Sequence, residues 1–99
     1  ESALMFFTNA VRENALYLLD EPENSLSPEN QCKLAHFLAD SVRFFRCQLI
    51  ISTHSPFLLA LPDAKIYDLD STPPFSRPWT ELPGVRAYRD FFEEHDGEF

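Results

Sequence analysis

The sequence predicts an α/β fold in which parallel strands are flanked by helices. Three observations point there. Leu16-Tyr17-Leu18-Leu19 is too short and too continuously apolar for a surface helix and reads as a buried strand, and Gln48 to Ser52, centred on Leu49-Ile50-Ile51, reads as a second. One helix-length segment separates them, with its apolar residues on a single face. Each run also stops at polar, chemically capable residues, Asp20-Glu21-Pro22 and Thr53-His54-Ser55-Pro56.

In chain order, Leu4, Phe7 and Val11 recur at helical spacing after Ser2, with Phe6 and Ala10 widening the stripe, and Arg12-Glu13-Asn14 ends this first helix. The first strand follows. Pro22 biases Glu21 towards an extended backbone, so the strand is expected to run through both carboxylates before turning. Ser27-Pro28 is a helix start, with a serine cap, proline in the first turn and Glu29 near the positive end. Leu34, Phe37, Leu38, Val42 and Phe45 mark the apolar face of that helix, and Arg43 and Arg46 suit its negative end. After the second strand, Ser55-Pro56 repeats the cap and opens a short helix through Leu61, stopped by Pro62. Lys65 to Leu69 reads as a third strand. Ser71 to Pro83, with four prolines in thirteen residues, reads as an irregular connection. Val85, Tyr88, Phe91 and Phe92 predict a final helix, with Gly97 in a frayed tail.

A strand–helix–strand order implies a parallel pair joined by a right-handed crossover. If the two strands are neighbours, their ends lie ~4.8 Å apart. Glu21 and His54 then face one crevice at the carboxyl edge, where open α/β sheets bind ligands.

Size and charge narrow the function classes. Ninety-nine residues suffice for one compact domain, and an apolar content of 44% with ten Phe can form a core. A net charge of −8 disfavours non-specific attraction to nucleic acid or anionic membrane; nucleic acid binding is possible but not indicated. No apolar run approaches the roughly 20 residues of a membrane span and no signal peptide opens the chain, so no membrane insertion and a cytoplasmic setting are expected. On one helix Cys32 and Cys47 would stand ~22 Å apart, too far for a disulfide, and they lack zinc-motif spacing, so both read as small hydrophobes.

The chemistry rests on Asp20, Glu21 and His54. Consecutive residues on an extended segment point to opposite faces, so Asp20 and Glu21 can serve different tasks. The first can hold a magnesium ion, which takes hard oxygen ligands and keeps several waters. The second can orient and deprotonate a water for attack on a phosphoryl group. An imidazole at the neighbouring strand end can hydrogen-bond a terminal phosphate and the attacking water. The alternative is two solvated carboxylates in a turn and a structural histidine. His36 and His95 have no such setting, and Glu93, Glu94 and Asp96 read as a solvated face.

These residues resemble a known family. Leu16-Tyr17-Leu18-Leu19-Asp20-Glu21-Pro22 is similar to the Walker B motif of ABC-type ATPases, Ser25-Leu26-Ser27-Pro28 to their D-loop, and Ile51-Ser52-Thr53-His54-Ser55-Pro56 to their switch-histidine loop. Glu1-Ser2 resembles the last signature-motif residue and the start of the helix behind it. The whole looks most like the C-terminal half of the small bacterial AAA/ABC-type ATPases, and more distantly like RecF and SMC-type heads. The likeness runs strongly from residue 16 to 69 and loosely to residue 99, through the Tyr88-Arg89-Asp90-Phe91 tail. It implies a partial P-loop NTPase (ABC-type) three-layer fold, with residues 1–99 forming the C-terminal part of an ATPase domain. It also implies Mg2+ with ATP as cofactor and substrate, Asp20 as magnesium ligand, Glu21 as general base and His54 as γ-phosphate sensor. Ser25, Leu26 and Ser27 would lie at the seam of a homodimer that sandwiches two nucleotides, and Glu1 would approach the partner's nucleotide.

One departure is large. No G-x-x-x-x-G-K-[ST] occurs, and the only glycines are Gly84 and Gly97. Without that loop there is no nest of backbone N–H groups and no lysine for the β- and γ-phosphates. The expectation is therefore a fragment whose Walker A segment lies N-terminal to it, inactive towards ATP in isolation. The family's first strand, absent here, normally lies between the second and third strands, so these two are expected to close up and pair directly, or to exchange strands with a second copy. Two other readings stay open. One is a non-catalytic truncated module acting in protein–protein interaction, and the other an unrelated metal-dependent hydrolase using Asp20, Glu21 and His54.

Overall fold

The computed structural model describes residues 15–99. The helix expected from Ser2 and the Glu1 site residue lie outside the described residues. The chain divides into two compact units, Glu1–Pro62 and Asp63–Phe99.

In the first unit, strand β1 spans Leu16–Asp20, helix α1 Pro28–Phe45, strand β2 Gln48–Ser52 and the one-turn helix α2 Pro56–Leu59. β1 and β2 are parallel neighbours, in register from Leu16 opposite Gln48 to Asp20 opposite Ser52. The predicted crossover is thus present, and both strands end at one edge. Tyr17, Leu19, Leu49 and Ile51 turn towards the covered face, as a period of two requires. Leu19, Leu49 and Ile51 pack there against a core of Leu26, Leu34, Ala35, Leu38 and Leu58, joined by Phe37 and Leu61. The continuous apolar runs predict buried strands. Among the described residues only one face is covered, and Leu16, Leu18 and Ile50 are exposed on the other.

α1 forms where its caps place it. Ser27 Oγ accepts from the Asn30 N–H at 3.2 Å, Pro28 occupies the first turn and Glu29 follows. Leu34 and Leu38 are fully buried; Val42 and Phe45, expected on the same face, are exposed in the last turns. Ser41 is buried there instead, and its hydroxyl donates to the Phe37 carbonyl at 2.9 Å, so burial leaves no orphan group. Arg46 lies just beyond the helix rather than in its last turn, in a left-handed conformation with φ 57°. The Arg46 N–H and, at 3.4 Å, the Cys47 N–H both reach back to the Ser41 carbonyl and close the helix end. Cys32 is partly buried and Cys47 is buried.

Two expectations about the third strand are overturned. It covers only Tyr67–Asp68 (β3), and it pairs antiparallel with Phe75–Ser76 (β4), inside the stretch read as irregular. Among the described residues the hydrogen-bonded neighbour of β2 is β1 and that of β3 is β4, in place of the direct pairing expected of the second and third strands. A hairpin satisfies the β3 backbone locally, without the long-range closure that direct pairing with β2 would need. Asp68 anchors it. This residue is buried, one carboxylate oxygen accepts the Asp70 N–H at 3.0 Å, and the other lies 3.3 Å from Arg77 Nε. Helix α3 covers Pro83–Glu94, as the apolar spacing predicted, but of its residues only Val85 is buried. The tail around Gly97 forms a 3-10 turn over Asp96–Glu98 rather than fraying.

Candidate functional site

The candidate site stands at the carboxyl ends of β1 and β2. Asp20 and Ser52 are the last residues of the two strands and face each other in the register. The Ser52 hydroxyl donates to Asp20 Oδ1 at 2.6 Å, which holds that carboxylate in place on the exposed side of the sheet. The ladder extends one step further, because the Glu21 N–H donates to the Ser52 carbonyl at 2.7 Å.

Beyond that bond the backbone turns at once. Glu21 is not extended but has φ 45°, a left-handed conformation uncommon for a residue with a side chain. The sequence expectation failed because the local bias imposed by Pro22 is weaker than two backbone bonds. The Glu21 N–H is held by Ser52, and its carbonyl accepts the Asn24 N–H at 3.1 Å, closing a turn with Pro22 in the position that suits a fixed φ. A second turn follows, from the Glu23 carbonyl to the Leu26 N–H at 2.9 Å, with Ser25 also left-handed at φ 71°.

These turns bring Glu21 to His54. Glu21 Oε1 is 3.9 Å from His54 Nδ1, and the His54 side chain is 84% exposed. An exposed contact at that distance locks neither group, so both side chains can turn towards a ligand at the strand ends. Ser25 and Ser27 are exposed on the same turn. Leu26 is different, since its side chain is buried in the core and its carbonyl accepts from Gln31 Nε2 at 3.0 Å. Thus Asp20, Glu21 and His54 come together at one edge, Ser25 and Ser27 offer a neighbouring polar surface, and Leu26 anchors that surface from below.

Two buried contributors have roles that the sequence does not announce. Glu23 is buried, and its two carboxylate oxygens accept from the Thr53 hydroxyl at 2.7 Å and from the His54 N–H at 3.2 Å. Ser55, also buried, donates to Gln31 Oε1 at 2.8 Å, so the serine expected as a helix cap ties the loop to α1 instead. These partners are distant in sequence and obey no period, so only the tertiary fold reveals them.

A magnesium ion can be tested against these donors. Asp20 and Ser52 offer hard oxygens, and among the described residues no three His, Cys, Asp or Glu side chains gather to hold a metal. That donor set does not fit an all-protein metal cage. It fits an ion bound by one carboxylate and held chiefly by phosphate oxygens and water, the usual state of magnesium at a nucleotide. Among the described residues no helix is long and apolar enough to cross a membrane.

Residues 3–59 match the family model described as AAA ATPase domain. No curated protein and no solved structure matches the chain.

Proposed function

The chain belongs to the AAA ATPase domain family, whose model covers residues 3–59 of its 99, and from that premise we propose that it forms the Walker B, D-loop and switch-histidine part of an ABC-type ATP site. The observation that carries this reading is the meeting of Asp20, Glu21 and His54 at the ends of two parallel strands. The Walker A loop, absent from these residues, is supplied by a segment outside them.

Asp20, oriented by Ser52, is the magnesium ligand. Magnesium when bound neutralises charge on the phosphate oxygens. Glu21 is the general base. It takes a proton from water as the water oxygen bonds to the γ-phosphorus and the bond from phosphorus to the ADP oxygen breaks. His54 donates a hydrogen bond to the γ-phosphate from the opposite side of the same crevice. Ser25 and Ser27 lie at the seam of a nucleotide-sandwich homodimer, with Leu26 fixing their turn, and Glu1 approaches the partner's nucleotide.

The test is steady-state phosphate release by the protein that joins this chain to a Walker A loop. His54→Ala should lower kcat by about 10²-fold, the scale of one lost transition-state donor. An unchanged kcat removes His54 from the reaction and the reading with it.

A further inference from the structure

Both turns of the candidate site meet on one buried side chain that the chemistry does not use. Glu23 is 8% exposed, and each of its carboxylate oxygens has its own donor on the loop after β2, the Thr53 hydroxyl and the His54 backbone N–H. Thr53 is held in turn, because its hydroxyl oxygen also accepts the Ser55 N–H at 3.0 Å. On the near side, the Glu23 carbonyl accepts from Leu26, and Leu26 is fixed in the core. The carboxylate therefore has a rigid mount and two partners. Glu23 is buried and occupied, so it cannot serve as the base; Glu21, half exposed two residues earlier, can.

We propose that Glu23 is the positioning residue of this site: its buried carboxylate holds the Thr53–His54 segment so that the His54 imidazole stands beside Glu21. Among the described residues no other hydrogen bond ties the His54 backbone to the turn after β1, and the 3.9 Å contact between the exposed side chains is too loose to do so. Two charge-assisted bonds to one carboxylate fix both the position and the direction of the segment. The inference rests on the proposed roles of Glu21 and His54 for its catalytic consequence, but its structural half does not.

The experiment has two arms. In the first, amide exchange and the imidazole signals of His54 are followed by NMR in the 99-residue chain, without nucleotide. The wild-type His54 amide should be protected to the level of the β2 ladder. Glu23→Ala should raise its exchange by about tenfold or more, the scale of a lost hydrogen bond to a charged group, while the amides of Leu34 and Leu38 keep theirs. Glu23→Gln retains one acceptor oxygen and should restore part of the protection. It also serves if the alanine variant does not fold. A wild-type His54 amide exchanging as a free loop, or one indifferent to Glu23→Gln and Glu23→Ala, overturns the proposal. In the second arm, Glu23→Ala in the protein carrying a Walker A loop should lower kcat with the KM for ATP unchanged, and Glu23→Gln should recover part of kcat. Loss in KM alone overturns the positioning role. If the wild type releases no phosphate, the proposed function fails while the first arm still decides whether Glu23 holds the loop.

Discussion

Glu21 Oε1 lies 3.9 Å from His54 Nδ1, although the whole of α1 and β2 separates them along the chain. The proximity follows from register. Asp20 is opposite Ser52, and the Glu21 N–H bonds the Ser52 carbonyl, so each residue just past one strand end must meet those just past the other. A one-residue slip of β2 would exchange its covered and exposed faces, which the core contacts of Leu49 and Ile51 forbid.

In the protein that joins this chain to a Walker A loop, Glu21→Gln should therefore keep nucleotide binding and lose turnover, since a neutral amide cannot take the proton of the attacking water. General bases contribute ~10²–10⁴-fold, and the fall in kcat should lie in that range. Steady-state phosphate release and a nucleotide-binding titration on the same variant read the two effects separately. Full activity would take Glu21 out of the mechanism.

In that same protein, Asp20→Asn should act through magnesium. A neutral amide loses most of its attraction for a hard divalent cation, while its oxygen can still accept from Ser52 and keep the strand ends in place. The magnesium concentration for half-maximal activity should rise while the fold is unchanged by circular dichroism. An identical magnesium titration would return Asp20 to the status of a solvated turn residue.

Much of the first unit was legible in the sequence because its signals are local. Ser27-Pro28 started α1 at the predicted residue, and Gln48–Ser52 is the strand the apolar run proposed. The conformation of Glu21 was not legible, because a proline neighbour speaks for an extended backbone and the ladder bond to Ser52 overrules it. Glu23 was missed for a similar reason, as a carboxylate in a turn looks solvated until the loop after β2 covers it. The third strand failed through its partner. Lys65 to Leu69 has strand-like residues, but its partner is Phe75-Ser76, close in sequence, and the prolines around that strand hid it.

The 99-residue chain alone should bind Mg-ATP weakly or not at all. Phosphate affinity in a P-loop site comes chiefly from the glycine-rich loop and its lysine, and this sequence has neither. Isothermal titration of Mg-ATP into the chain is the measurement. A micromolar dissociation constant would mean that another phosphate-binding element exists here.

Stability should be concentrated where α1 meets the sheet. Leu34 is fully buried in the core, whereas Phe44, ten residues further along the same helix, is 64% exposed. Leu34→Ala should cost about 2–5 kcal/mol by urea unfolding, as deletion of a buried Leu side chain leaves a cavity. Phe44→Ala should stay within about 0.5 kcal/mol. Equal losses would mean that the last turns of α1 are covered in solution.

The hairpin of the second unit should show a coupled pair. Arg77 Nε sits 3.3 Å from Asp68 Oδ2 without hydrogen-bond alignment, its guanidinium lies over the Phe75 ring at 4.4 Å, and the two side chains are only 20% and 8% exposed. Arg77→Met keeps the apolar stem over Phe75 but leaves a buried carboxylate with the Asp70 N–H as its remaining partner. Breaking one half of a buried pair costs up to about 3–5 kcal/mol, so local opening of the hairpin should become much easier. Asp68→Asn should cost less, because an amide oxygen still accepts from Asp70 and Arg77 can reach solvent. The double variant should be more stable than the sum of the single losses predicts, since the uncompensated charge is then gone. Hydrogen exchange of the backbone amide at position 77, which bonds the Ile66 carbonyl at 3.2 Å, reports the opening in all three variants, each rate taken relative to the intrinsic rate of its own sequence. Strict additivity would show that the contact between Asp68 and Arg77 carries no energy.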